Sequence, residues 1–220
     1  MSSYPSWITV RPLTRNWNAM RNGKTSRVCS IKAIAIHYIE NPGQSADECW
    51  KFFEGKEESG GTNDINNAEQ GATGCGAHFI VDANKILALA PDPSYVFYHV
   101  GDEVSRDANA SAWNKDTTKF VRGAANYYTI GIEHAHPNND GKFTPEVLKK
   151  SHQLVRWLKE KYGSHILIGR HYDFSGKGCP KWYCPIIKGK NDFGVIEGPD
   201  GKLVRKTFRY PEGRTEAEEV

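Results

Sequence analysis

The chain has 220 residues, 38% of them hydrophobic, and 29 Lys and Arg against 26 Asp and Glu leave a formal charge of +3. A chain of this length buries close to 70% of its extended surface on folding, and this apolar share excludes a disordered, collagen-like or fibrous polypeptide. Charges of both signs are interspersed with no basic run longer than two residues, so no nucleic-acid footprint is visible and none is expected as a partner.

No stretch approaches the roughly 18 apolar residues of a membrane span, and the opening MSSYPSWITVRPLTRNW has no apolar leader core. Neither membrane insertion nor a secretory signal is therefore expected, and the chain reads as a monomer. Cys29, Cys49, Cys75, Cys179 and Cys184 are odd in number and irregularly spaced, which reads as reduced thiols rather than a disulfide framework. The first three are expected to be small buried hydrophobes.

In chain order, residues 1–30 read as an N-terminal segment packing on the domain. Residues 31–38, IKAIAIHY, predict a buried strand with Ala33, Ala35 and His37 on one face and Ile34, Ile36 and Tyr38 on the other. Ser45 followed by Glu48 predicts a capped helix carrying Trp50, Phe52 and Phe53 and ending at Gly55. Residues 56–74 form a long polar stretch, of a kind more often functional or mobile than inert. AHFIVDANKILALA at 77–90 predicts a hairpin turning at Asp82–Lys85, and YYTIGIEHA at 127–135 a further strand.

Thr144 as N-cap, Pro145 at the first helical position and an apolar stripe of Val147, Leu148, Leu154, Val155 and Leu158 predict a helix stopped by Gly163. HILIG at 165–169 predicts a last short strand. Residues 185–220 read as a C-terminal tail with a turn at 198–201 and a strand-like VRKTF, packing on the sheet or trailing. Interleaved strands and helices predict an α/β fold, a mixed central sheet flanked by helices, over residues 31–184.

Zinc in a catalytic site takes three protein ligands from His, Cys and carboxylates and keeps one position open. His37, His171 and Cys179 would supply such a set, since two glycines in the seven residues between His171 and Cys179 let the chain fold back. Any one of these histidines, taken alone at a strand end, is more often a hydrogen-bonded structural residue than a ligand. His134 and His136 alternate away from Glu133 and read as non-ligands; His78 reads as a core or site-wall residue, and His152 and His165 as packing residues. Asp173 reads either as a carboxylate orienting His171 or as a loop cap. Trp50, Trp182 and Tyr183 are either platforms for sugar and peptide or core.

Together IAIHY, GAHFIVD, YHVGD, IGIEHAH and RHYDFSGKGCP resemble the zinc-dependent N-acetylmuramoyl-L-alanine amidases, which include phage endolysins and autolysins and are related to the peptidoglycan-recognition proteins. The resemblance runs from about Ile31 to Tyr183. It implies a Zn²⁺ ion held by His37, His171 and Cys179, with Glu133 as the catalytic glutamate. Lys177 matches a lysine assigned in phage members to stabilising the intermediate. His99 falls where the family has a site-lining histidine; with Tyr38 it is expected to contact substrate.

Ala77 stands where some members carry a tyrosine, which leaves the proton traffic to Glu133. Cys179 stands where many members use Asp, implying a softer and more tightly held metal. The implied activity is hydrolysis of the amide between N-acetylmuramic acid and L-alanine of the stem peptide, with peptidoglycan as the partner. Such an enzyme would wait in the cytoplasm until released to the wall. The competing readings are a muropeptide-binding module that does not cut, and a zinc peptidase acting within the stem peptide.

Overall fold

The computed structural model describes residues 4–14, 30–54, 76–100, 125–175, 177–184, 195–197 and 203–205. In chain order the elements are β1 (Thr9–Val10), β2 (Ala33–Tyr38), α1 (Ala46–Glu54), β3 (Phe79–Val81), β4 (Ile86–Ala88), α2 (Ala125–Tyr128) and β5 (Thr129–His134). There follow α3 (Pro145–Tyr162), β6 (Leu167–Arg170), α4 (His171–Ser175), a 3₁₀ turn at Lys181–Tyr183, β7 (Val195–Glu197) and β8 (Leu203–Arg205). Six strands form one sheet in the order β1-β4-β3-β5-β2-β6, in which β3, β5, β2 and β6 run parallel and β4 antiparallel to β3. β1 pairs parallel with β4 and closes that edge.

Each face of the sheet is covered by a helix, as a parallel sheet requires. Ile34, Ile36, Phe79, Ile130 and Ile132 pack against Val147, Leu148, Leu154, Val155 and Leu158 of α3, each such burial contributing roughly 1.5 to 3 kcal/mol. Ile80 and Leu87, which alternate to the other face, pack with Cys49, Trp50 and Phe53 of α1. Both helix starts follow their sequence signals: the Glu48 carboxylate accepts from the Ser45 N–H at 2.7 Å, and Thr144 Oγ1 accepts from the Val147 N–H at 3.4 Å. Gly163, at φ +109°, ends α3.

Two expectations are corrected in register. Tyr127 and Tyr128 belong to the helical turn α2 rather than to the strand, because the Asn126 side chain receives the N–H groups of His99 and Val100 and fixes a turn there. The strand expected at 165–169 begins at Leu167, since the turn with Ile166 N–H bonded to Gly163 O uses the preceding residues. β8 falls in the strand-like tail segment and pairs antiparallel with β7 in a separate two-stranded ladder. The polar stretch 56–74, Cys29, Cys75 and the turn at 198–201 lie outside the described residues. Among the described residues no helix is long and apolar enough to cross a membrane.

Candidate metal centre

Parallel pairing aligns the carboxyl ends of β5, β2 and β6 at one end of the sheet, the usual place for a site in such a fold. His37 stands opposite Glu133, and Ile36 opposite Arg170, so His171 follows immediately beside His37. Below these side chains the same face carries Ala33, Ala35, Gly131 and Gly169. The small residues leave a shallow floor. Val100 and Phe174 pack over Ala33 and Ala35, while a Cβ at Gly131 would lie 2.5 Å from His99 Nδ1 and one at Gly169 3.1 Å from Phe174 Cε2.

Above this floor His37, His171 and Cys179 are all buried, and their ligand atoms lie within 4.8 Å of one another. The loop after α4 returns because Tyr172 N–H donates to Cys179 O at 2.9 Å and Cys179 N–H to Lys177 O at 2.6 Å. Cys179 Sγ lies 3.8 Å from His37 Nδ1, near the ~3.6 Å edge of a tetrahedron built from Zn–N and Zn–S bonds. Glu133 Oε1 is 3.9 Å from the same nitrogen, and Glu133 Oε2 is buried with no hydrogen-bond partner among the described residues. Two imidazoles, a thiol and an unsatisfied carboxylate oxygen, converging in one buried place, fit a borderline-soft divalent ion such as zinc with a carboxylate alongside.

The electrostatics agree. Burial, then the neighbouring His171 and His99, push His37 well below the ordinary histidine range. Burial and then Lys177 lower His171 to about 3, so both rings are neutral and retain lone pairs at physiological pH. Burial, followed by the nearby Glu133, raises the Cys179 thiol well above its usual value, although the Tyr38 backbone N–H bonded to the sulfur works the other way. Glu133 is raised to about 8 by burial against the opposing pull of Lys177. A cation among these donors favours the ionised thiolate and carboxylate alike.

Lys177 sits at the rim with Nζ 2.8 Å from Glu40 Oε1. Burial alone would lower its pKa, but the bond and charge of Glu40 hold it above the ordinary lysine range. Tyr38, half-buried, alternates to the opposite face from His37 and stacks on His136 at 5.3 Å. Burial raises its phenol to about 12. His99 is buried, with Nδ1 3.0 Å from His37 Nε2 and Nε2 3.0 Å from Thr129 Oγ1.

The other candidates have structural partners. His134 Nδ1 faces the carbonyl of His37 at 2.9 Å and its Nε2 meets the Ser151 hydroxyl, tying α3 to β2 and β5. Both nitrogens of His136 face backbone carbonyls, Asn138 O at 2.7 Å and Ile39 O at 2.5 Å. His78 Nδ1 accepts the Gly131 N–H at 2.9 Å, and Nε2 lies 2.8 Å from Tyr95 O. Asp173 caps Arg170 instead of orienting His171, with Oδ2 2.7 Å from Arg170 N and Oδ1 2.7 Å from Nη2. Trp50 and Tyr183 are core, whereas Trp182 is half-buried with the Lys142 ammonium 5.2 Å from its ring. Sequence reasoning passed over Glu40, Asn126 and Thr129. Strand alternation from Glu133 would have placed Thr129 on the site face; no local pattern marks Glu40 or Asn126.

Fold and site together define an α/β protein with a His, His, Cys centre at the carboxyl ends of parallel strands. The sequence profile of the Amidase_2 family, described as N-acetylmuramoyl-L-alanine amidase, matches residues 27–182, and the chain belongs to that family. The N-acetylmuramoyl-L-alanine amidase BlyA of Bacillus subtilis (strain 168) is 28% identical over 152 residues, covering 68% of this chain and 36% of that protein. A probable N-acetylmuramoyl-L-alanine amidase of Bacillus licheniformis is 28% identical over 183 residues, 82% of this chain and 44% of the relative. The chain thus spans less than half the length of these curated relatives. Among solved structures, a mutant endolysin from Bacillus subtilis shares the fold with a TM-score of 0.51 at 20% identity, over 79% of this chain and 88% of that one.

Proposed function

We propose that the protein is a zinc-dependent peptidoglycan hydrolase that cleaves the amide between N-acetylmuramic acid and the L-alanine of the stem peptide. One observation carries the reading: His37, His171 and Cys179 converge within 4.8 Å beside a glutamate whose buried Oε2 has no partner among the described residues, in a chain of an amidase family. His37, His171 and Cys179 would hold the zinc ion. When bound, it supplies a water acidified to near neutrality and a Lewis acid for the amide carbonyl.

Glu133 accepts the proton of the attacking water as general base, then delivers it to the departing alanine nitrogen as general acid. Burial raises Glu133 and a bound cation opposes that shift, so the carboxylate is ionised for the first step and can hold the proton for the second. Lys177 provides a cation at the rim for the oxygen on which negative charge develops; removing one such donor costs roughly 2.7 to 4 kcal/mol of transition-state stabilisation. Tyr38 and Trp182, both half-buried against the core, offer aromatic faces to the glycan or the peptide.

The test is a digest of purified muropeptides. New L-alanine amino termini are expected with no new reducing ends, abolished by a strong chelator and restored by zinc. New reducing ends would move the cut to the glycan. Muropeptide binding without any product would make the domain a recognition module.

A further inference from the structure

We propose that His99, Val100, Asn126 and Thr129 form a frame that fixes which nitrogen of each histidine ligand faces the metal, making Thr129 and Asn126 positioning residues. The inference rests on the zinc reading above and deepens it. His37 Nδ1 is the nitrogen that faces Cys179 and Glu133, at 3.8 and 3.9 Å. A ligand nitrogen must carry its lone pair, so the neutral ring holds its proton on Nε2.

That Nε2 lies 3.0 Å from His99 Nδ1. With His37 donating, His99 Nδ1 must accept, so His99 in turn carries its proton on Nε2. His99 Nε2 lies 3.0 Å from Thr129 Oγ1, which accepts it. The tautomers that a metal on His37 Nδ1 imposes on two successive imidazoles are therefore sustained by one hydroxyl at the start of β5, which terminates the relay as its acceptor. Outer partners of this kind on metal-binding histidines fix ring orientation and raise ligand basicity.

The second ligand uses the next residue: His171 bonds to the backbone of Val100, leaving its other nitrogen for the cluster. His99 and Val100 are themselves held by a single atom, since both backbone N–H groups donate to Asn126 Oδ1 at 2.9 and 3.0 Å. Asn126 is fully buried and lies three residues before Thr129. The short segment 126–129 thus clamps, by side chains alone, the backbone and the ring that support both histidine ligands. Gly131 completes the frame, because nothing larger than hydrogen fits beneath the His99 ring.

The 220-residue chain is titrated with zinc against a chromogenic chelator, as wild type, Thr129→Val and Thr129→Ser, alongside cobalt(II) absorption spectra. Thr129→Val should bind zinc about 10 to 100-fold more weakly with an altered cobalt spectrum. Thr129→Ser, which restores the acceptor, should recover the wild-type affinity and spectrum. Equal zinc affinity in Thr129→Val and wild type would overturn the frame.

Should the valine variant not fold, long-range ¹H–¹⁵N spectra of the wild-type zinc form read the tautomers directly. Protons on Nε2 of both His37 and His99 are expected, and a proton on His99 Nδ1 overturns the proposal. Failure of the amidase reading is separate: it would appear as wild-type protein that binds zinc with these tautomers yet releases no L-alanine termini.

Discussion

His37 and Glu133 face one another in register across β2 and β5, with Nδ1 and Oε1 3.9 Å apart and the second carboxylate oxygen buried without a partner among the described residues. Parallel pairing makes this closeness automatic: once Ala33 aligns with Thr129, every second residue of both strands shares a face, and the fifth pair is His37 with Glu133. An acid-base group and a ligand-type group are thereby fixed by backbone rather than by mobile loops.

Glu133→Gln keeps the shape of the side chain and removes its capacity to take a proton. Zinc content should be unchanged and the release of L-alanine termini should fall by about 10² to 10⁴-fold. Metal analysis and product counting on the same preparation separate the two effects. Normal turnover in the variant would reject Glu133 as the base.

Cys179→Ser replaces the thiol that closes the cluster with a harder, poorer ligand for zinc. Metal and activity should be lost together, in contrast to Glu133→Gln. Because Cys179 is buried and receives the Tyr38 backbone N–H, the hydroxyl still has a hydrogen-bond partner and the fold should survive, as circular dichroism would report. A serine variant retaining one tightly held zinc would remove Cys179 from the ligand set.

Gly131→Ala and Gly169→Ala test the shallow floor. At Gly131 the added carbon meets three atoms of the His99 ring at 2.5, 2.8 and 3.0 Å, whereas at Gly169 the nearest atom is Phe174 Cε2 at 3.1 Å. Overpacking of this severity costs about 1 to 3 kcal/mol, and each kcal/mol lowers Tm by roughly 2 to 4 °C in a chain of this size. Gly131→Ala should therefore melt lower than Gly169→Ala and bind zinc less well. The reverse order of melting would contradict the packing described here.

Much of the site's skeleton is legible in the sequence because it depends on strand alternation, which has a fixed period. That period puts His37 on the face of Ala33 and Ala35, and turns His134 away toward Ser151 of α3. The caps at Ser45 and Thr144 are legible for the same reason, since their partners lie three residues away. What sequence reading misses depends on contacts between distant segments. β1 is two residues long and exposed, so it has no periodicity to detect; it exists through its pairing with β4. Tyr127 and Tyr128 have strand propensity, but Asn126 draws them into a turn by its bonds to residues 27 and 26 positions earlier. Glu40 lies on the rim and declares itself only through Lys177, which the chain brings back from far downstream.

The histidines also set an acid limit on the metal-free fold. His134 is lowered to about 4 from 6.5 by burial, the bonds its Nδ1–H donates to the carbonyls of His37 and Ile132 only partly offsetting it. His171 is lowered to about 3 and His37 also falls well below 6.5. A lowered folded pKa means that the unfolded chain binds the extra proton, so each ring's contribution is present above about pH 6.5 and is lost as the pH falls toward the folded value. Glu133 has the opposite sign: raised from 4.5 to about 8, it favours the fold below 4.5 and loses that contribution as the pH rises through 8. Between about pH 6.5 and 4.5 these imidazoles, with His152 lowered by burial and by Arg156 in the same direction, act against Glu133, and each group changes stability by at most ~1.4 kcal/mol per pH unit. Urea midpoints of chelator-treated protein should therefore fall as pH drops from 6.5 to 4.5, and the decline should be steeper with zinc bound, because metal binding displaces protons from Cys179 and Glu133 that acid restores only by releasing the metal. A flat midpoint across that interval in the metal-free chain would mean that these rings are not held neutral in the core.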